Sequence, residues 1–327
     1  MDTAFDYSGK NVKPRVIEDY DGKDIKLNND IVTSVSKFPF LKELKGDTLI
    51  VTDGNTLLGA DNKAGVAEIM TLVDYLQNND VEHGDVSICF TPDEEIGRGA
   101  NKFDVKKFNA DFAYTVDGGE VGTIDYENFN AASAVVKIKG ESIHPGEAKN
   151  KMINAINIAM EYHHLLDCSM RPELTENYEG FYHLNDISGD VSNAKLNYII
   201  RNHSESEFQH QKIQMVAAKD YLNEKYKQEL VLVEIEDSYY NMYSKLKDKK
   251  YIVEIANEAI KDAGLNPTSS PIRGGTDGAR LTFMGLPCPN LGVGGYNFHG
   301  PYELAAVEQM EKSVQILKNI VKIVGER

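Results

Sequence analysis

Between residues 46 and 128, short apolar runs alternate with a segment whose apolar positions recur every three to four residues. DTLIVTD, VSICFTP and AYTVD read as strands. Between the first two, Asp61 to Gln77 places Val66, Ile69, Met70, Val73 and Leu76 on one face of a helix. Strands alternating with helices predict βαβ units and a parallel sheet. The pattern then changes. AASAVVKIKG is a strand, a helix is expected from about Ala148 to Leu166, and FYHLNDISG with KLNYIIR makes a hairpin. A helix follows Ser204, which forms a capping box with Glu207, and ELVLVEI closes the run as a strand. The order β-α-β-β-α-β is ferredoxin-like.

After about residue 241 the first character returns. A helix from Tyr251 to Ala263 stops at Gly264, the apolar PNLGVGG follows, and a last helix carries Val307, Met310, Val314, Leu317, Ile320, Val321 and Val324 on one stripe. The expected architecture is an α/β catalytic domain with a doubly wound, mostly parallel sheet, built from residues 1–128 and 242–327. It is interrupted by an inserted ferredoxin-like α+β lid domain at 129–241.

With 327 residues, 41% hydrophobic and 26% charged, the chain is long enough for two globular domains. The net charge of −16 argues against nucleic acid as a partner, because neutralising phosphates takes clustered Lys and Arg. The longest apolar run is far short of the roughly 18 residues a spanning helix needs, so no membrane association is expected. MDTAFDYSGKNVKP has no apolar core of a secretory signal and reads as a loop. Cys89, Cys168 and Cys288 are too few and too scattered for a disulfide framework, which predicts buried thiols in a reducing, cytoplasmic compartment.

Acidic residues gather at the strand ends, where ligands of open α/β sheets bind. In TPDEEIG, Asp93, Glu94 and Glu95 crowd the end of an apolar run; this is a solvated acidic turn or, if buried, a cluster that calls for a cation. Asp61 in LLGADNKAG is a helix N-cap or a ligand. Asp117 in TVDGGE is a turn-forming Asp-Gly or a ligand whose glycines admit close approach. His299 in GVGGYNFHG, alone, is structural or a ligand. Three strand-end acids with one strand-end histidine form the mixed oxygen and nitrogen donor set that Zn²⁺ accepts. His144 in ESIHPGEAK is a turn histidine before proline or a functional one. Arg273 in PIRGGTDGA grips a carboxylate bidentately or pairs structurally with an acid. No phosphate loop GxxxxGK[ST], no GxGxxG after a strand, no HExxH and no GxSxG elbow is present.

Taken together, DTAFDYSGKNVKP, TLLGADNKAGVAEIM, FTPDEEIGRGA, YTVDGG, HPGEAK, EGFYHL, PIRGGTDGARLTFMGLPCPN and GGYNFHG resemble the peptidase T family along the length of the chain. That family comprises cytoplasmic, zinc-dependent tripeptide aminopeptidases among the di-zinc aminoacylase and carboxypeptidase relatives. The resemblance implies that Asp61 bridges two zinc ions, that Glu95 and His299 complete one of them, and that Asp117 ligates the other. It implies Glu94 as the general base and Asp2 as a second catalytic carboxylate that orients a ligand. His144 and Arg273 would hold the peptide's carbonyl or carboxylate, and a homodimer is implied by analogy only.

The family's first motif reads His-x-Asp, and Met1 takes its middle position here. By that analogy roughly 75 to 80 residues of strands and helices, with one metal-ligating histidine, would precede this chain. The expected function is therefore tripeptide hydrolysis, with this chain's own activity in doubt. The alternatives are an inactive or mono-zinc peptide-binding remnant, or a related di-zinc dipeptidase or deacylase.

Overall fold

A computed structural model describes residues 2–327. The chain divides into two compact units. One consists of Met1–Tyr126, Met242–Ser270 and Thr276–Arg327; the other of Glu127–Asn241 and Pro271–Gly275.

In the first unit the strand Thr115–Gly118 pairs in parallel with Asn290–Gly292, which pairs on its other side, antiparallel, with Ile124–Asp125. The helices Ala60–Asn78, Lys250–Asp262 and Val307–Gly325 bury their apolar faces here, with Ala64, Leu72, Val116, Ile260, Leu291 and Leu317 in one core. A second sheet, all antiparallel, runs in the order Arg15–Ile17, Leu49–Val51, Leu304–Ala306, Gly295–Tyr296. Its core holds Leu41, Leu49, Val51 and Leu304.

The second unit is a four-stranded antiparallel sheet ordered Val231–Tyr239, Asn130–Lys139, Asn193–Asn202, Phe181–Gly189. That is the 4-1-3-2 order of a ferredoxin-like unit. The helices Ala155–Leu165 and Glu205–Tyr226 bury Tyr162, Phe208 and Met215 against Val136, Leu196 and Ile200. Ser204 caps the second helix by accepting from the Glu207 N–H at 3.3 Å.

Three local expectations are corrected. The run Val86–Pro92 forms no strand, because no neighbouring backbone among the described residues supplies a ladder; Val86, Ile88 and Phe90 stay about 40% exposed despite their alternation. The helix expected from Ala148 starts at Ala155. Ile153 exchanges two backbone hydrogen bonds with Glu141, and Asn154 then caps the helix by accepting from Ile156 and Asn157. Of the three free cysteines only Cys288 is buried; Cys89 lies in the ladderless run and Cys168 in a turn. No helix among the described residues is long and apolar enough to cross a membrane.

One acid in the core bears on stability. Glu68, 1% exposed on the 60–78 helix, accepts from the Ser313 hydroxyl at 2.5 Å, and its Oε1 has no partner among the described residues. Burial pushes its carboxyl up to about 8, opposed by the Ser313 bond. Folding therefore holds a proton that the unfolded chain releases near 4.5, so stability is fully present below that pH and declines as pH rises toward 8, by about 1.4 kcal/mol per unit. Glu68→Gln should melt like the parent at pH 4 and increasingly above it toward pH 8, in thermal scans across that range.

Candidate metal centre

Asp61 is delivered by a tight entry into the 60–78 helix. Gly59, at φ 71°, is the left-handed residue at the helix start. Asp61 itself has non-helical backbone (φ −79°, ψ 104°), and the Asp61–Asn62 peptide is cis. The side chain of Asn62 donates to the Val116 carbonyl at 2.8 Å, one residue before Asp117. A Cβ at Gly65 would lie 2.0 Å from that same carbonyl. Only glycine lets the helix lie this close to the strand, and that approach brings the carboxylates of Asp61 and Asp117 together.

Glu94 and Glu95 sit on a loop that is held at many points. Asp2 accepts from the backbone N–H groups of Glu94 at 3.1 Å and Glu95 at 3.2 Å. The buried Asp277 accepts from the Thr91 hydroxyl at 2.9 Å and the Ala100 N–H at 3.2 Å, so one carboxylate grips both ends of the loop. Arg280, one turn along the Asp277–Phe283 helix, donates to the Gly97 carbonyl and the Asn101 side chain.

His299, at φ 65°, directs Nε2 to 3.2 Å from both Asp61 Oδ2 and Glu95 Oε2, with Nδ1 3.7 Å from Asp6 Oδ2. One donor atom from each of Asp61, Glu95 and His299 lies within 4.8 Å of the others. Two carboxylates and an imidazole at this spacing match the donor set of a divalent transition metal.

The electrostatics express the crowding. Burial, then Asp61 and Glu94, hold the Asp117 carboxyl well above its ordinary range. Burial raises Asp61 as well, against the pull of His299. Glu95 is raised by burial and by Asp61. Glu94, pushed up to about 7 by burial and then by Asp277 and Glu95, sits beside the three-residue group without belonging to it. A cavity of about 630 Å³ within this unit reaches Asp61, Glu94 and Asp117 and is walled by Leu72, Val116 and Leu317.

Asp2, Asp61, Glu94, Glu95, Asp117 and His299 are thus brought together. His144 and Arg273 belong to the second unit. There His144 accepts from the Gly146 N–H at 3.2 Å. Arg273 donates to the carbonyls of Asn177 and Glu179 and to the Thr175 hydroxyl, over the rings of Phe129 and Phe181. Sequence reasoning missed the loop-holding roles of Asn62, Asp277, Arg280 and Glu303. For Asp277 the signal was its place in the glycine-rich GGTDGA; Glu303 carried none.

The chain belongs to the peptidase family M20/M25/M40, whose model matches residues 50–323. Within it, the chain is 53% identical to peptidase T of Clostridium acetobutylicum, over 100% of this chain and 81% of that protein, and 54% identical to peptidase T of Bacillus subtilis, over 98% and 79%. Among solved structures it is similar to the aminopeptidase PepT of Bacillus cereus, with a TM-score of 0.76 at 26% identity, covering 84% of this chain and 74% of that one.

The grip of Asp277 yields a test. A Cβ at Gly99 would sit 1.9 Å from Asp277 Oδ2, which is buried and cannot swing away. Gly99→Ala should destabilise the protein by about 2 kcal/mol and weaken divalent-metal binding, as read by denaturant melts and metal titration.

Proposed function

We infer that this chain is a zinc-dependent aminopeptidase that releases the N-terminal residue of tripeptides. One observation carries the reading: Asp61, Glu95 and His299 converge on a point, with Glu94 next to them, lining a cavity and outside their group. The relatives named peptidase T support the substrate class.

In this reading Asp61, Glu95 and His299 would hold one zinc ion, and Asp61 with Asp117 would face a second. Bound zinc would polarise the scissile carbonyl and make water more acidic. Burial pushes the Glu94 carboxyl up to about 7, near the range in which a group can both take and return a proton. Its carboxylate oxygen takes a proton from the attacking water and returns it to the leaving amine. Asp2 keeps Glu94 and Glu95 aimed by accepting from both of their amides. The roles of His144 and Arg273 in holding the peptide's carbonyl or carboxylate belong to the same proposal. So do a cytoplasmic location and a homodimer through the second unit, whose Val231–Tyr239 strand pairs on one side only.

A second reading, a single-zinc peptide-binding chain, is favoured by one observation. Among the described residues only one three-residue donor group is complete, and Asp117 meets Asp61 rather than an imidazole. Bound zinc per chain separates the two, one ion against two. Assays on di-, tri- and tetrapeptides and N-acyl amino acids separate a tripeptidase from a dipeptidase or deacylase.

Glu94→Gln should lower tripeptide turnover by on the order of 10³-fold while leaving bound zinc per chain unchanged. Loss of metal in that variant would exchange the roles of Glu94 and Glu95.

A further inference from the structure

Glu303 is an acid that the chemistry above does not use. It is 2% exposed, immediately before the strand Leu304–Ala306. Its Oε2 accepts from the backbone N–H groups of Leu58 and Gly59, each at 2.7 Å, and its Oε1 accepts from the N–H of Asp61 at 3.0 Å. Three amides from one turn of chain converge on a single carboxylate, which is what a buried charge requires to be stable.

The placement couples two loops. Asp61 hangs from the turn whose amides Glu303 collects. His299 lies four residues before Glu303, on a segment closed by the Glu303 N–H donating to the Gly300 carbonyl at 3.3 Å. After Glu303 the chain enters the ladder with Leu49–Val51 and is fixed there. The carboxylate of Glu303 is therefore the short link between the backbone that carries Asp61 and the backbone that carries His299. The 3.2 Å approach of His299 Nε2 to Asp61 Oδ2 is made across that link.

The geometry points to Glu303 as the positioning residue of the metal centre. It sets metal affinity by fixing the distance between Asp61 and His299, and touches neither metal nor substrate. The amide clamp stands on hydrogen bonds alone; its effect on metal rests on the reading proposed above.

Glu303→Gln keeps the size and shape of the side chain. Its carbonyl oxygen can still accept from Leu58 and Gly59, but its NH₂ then faces the N–H of Asp61, donor against donor. The variant should keep the parent's fold by circular dichroism and bind zinc at least about tenfold more weakly in competition with a chromophoric chelator. In metal-free protein, hydrogen exchange should show the Leu58, Gly59 and Asp61 amides protected in the parent, with the Asp61 amide released in the variant.

Parent amides that exchange as freely as those of open loops would overturn the clamp. A folded variant with the parent's zinc affinity would overturn the positioning role. If Glu303→Gln does not fold, Glu303→Asp is titrated in its place. It keeps the charge but is too short to reach all three amides, so weaker zinc binding is expected and equal binding refutes the role. A parent that binds no zinc defeats the metal reading, and with it the positioning role, while exchange at Leu58, Gly59 and Asp61 still decides the clamp.

Discussion

Like-charge crowding is the constraint around which the first unit is organised. Asp61, Glu94, Glu95 and Asp117 share one neighbourhood with the His299 imidazole; burial raises the carboxyls of all four, and neighbouring carboxylates push Glu94, Glu95 and Asp117 further up. Nothing in ordinary packing would gather them, since each gains more from water than from the others. They are gathered because the backbones that carry them are held from behind, by bonds that do not depend on the site's own charge.

Those holds share a chemical logic. Asp2, Asp277 and Glu303 are carboxylates that accept from backbone N–H groups. The same residue type thus serves two purposes a few ångströms apart. Where main-chain donors meet it, the acid fixes a loop. Where acids meet each other, the anion is unstable until a proton or a cation joins it. The high acidic count of the chain is partly this double use.

How much was legible in the sequence follows from the range of the forces involved. Asp61, Glu95, Asp117 and His299 stood out as candidates because each stands near glycines or at the end of an apolar run, a local pattern. The ferredoxin-like unit could be read because its strands alternate cleanly and its helix start carries Ser204. Glu303 could not be read: it lies in an unremarkable PYELAA, and its partners are amides some 240 residues earlier. Asn62 likewise acquires its meaning only from the Val116 carbonyl. The Val86–Pro92 run was misread for the converse reason. Its alternation is a strand's, but a strand is a relation between two backbones, and the second is not there to be seen in one segment's pattern.

That run also bears on how copies of the chain behave toward each other. Val86, Ile88 and Phe90 offer apolar side chains on a backbone free of any ladder, which is the kind of surface on which another extended chain can dock and propagate. Against it stands the net charge of −16, which keeps copies apart over a distance set by the ionic strength, about 10 Å at 0.1 M salt. Salt shortens that reach and so favours association through exposed apolar segments such as this one.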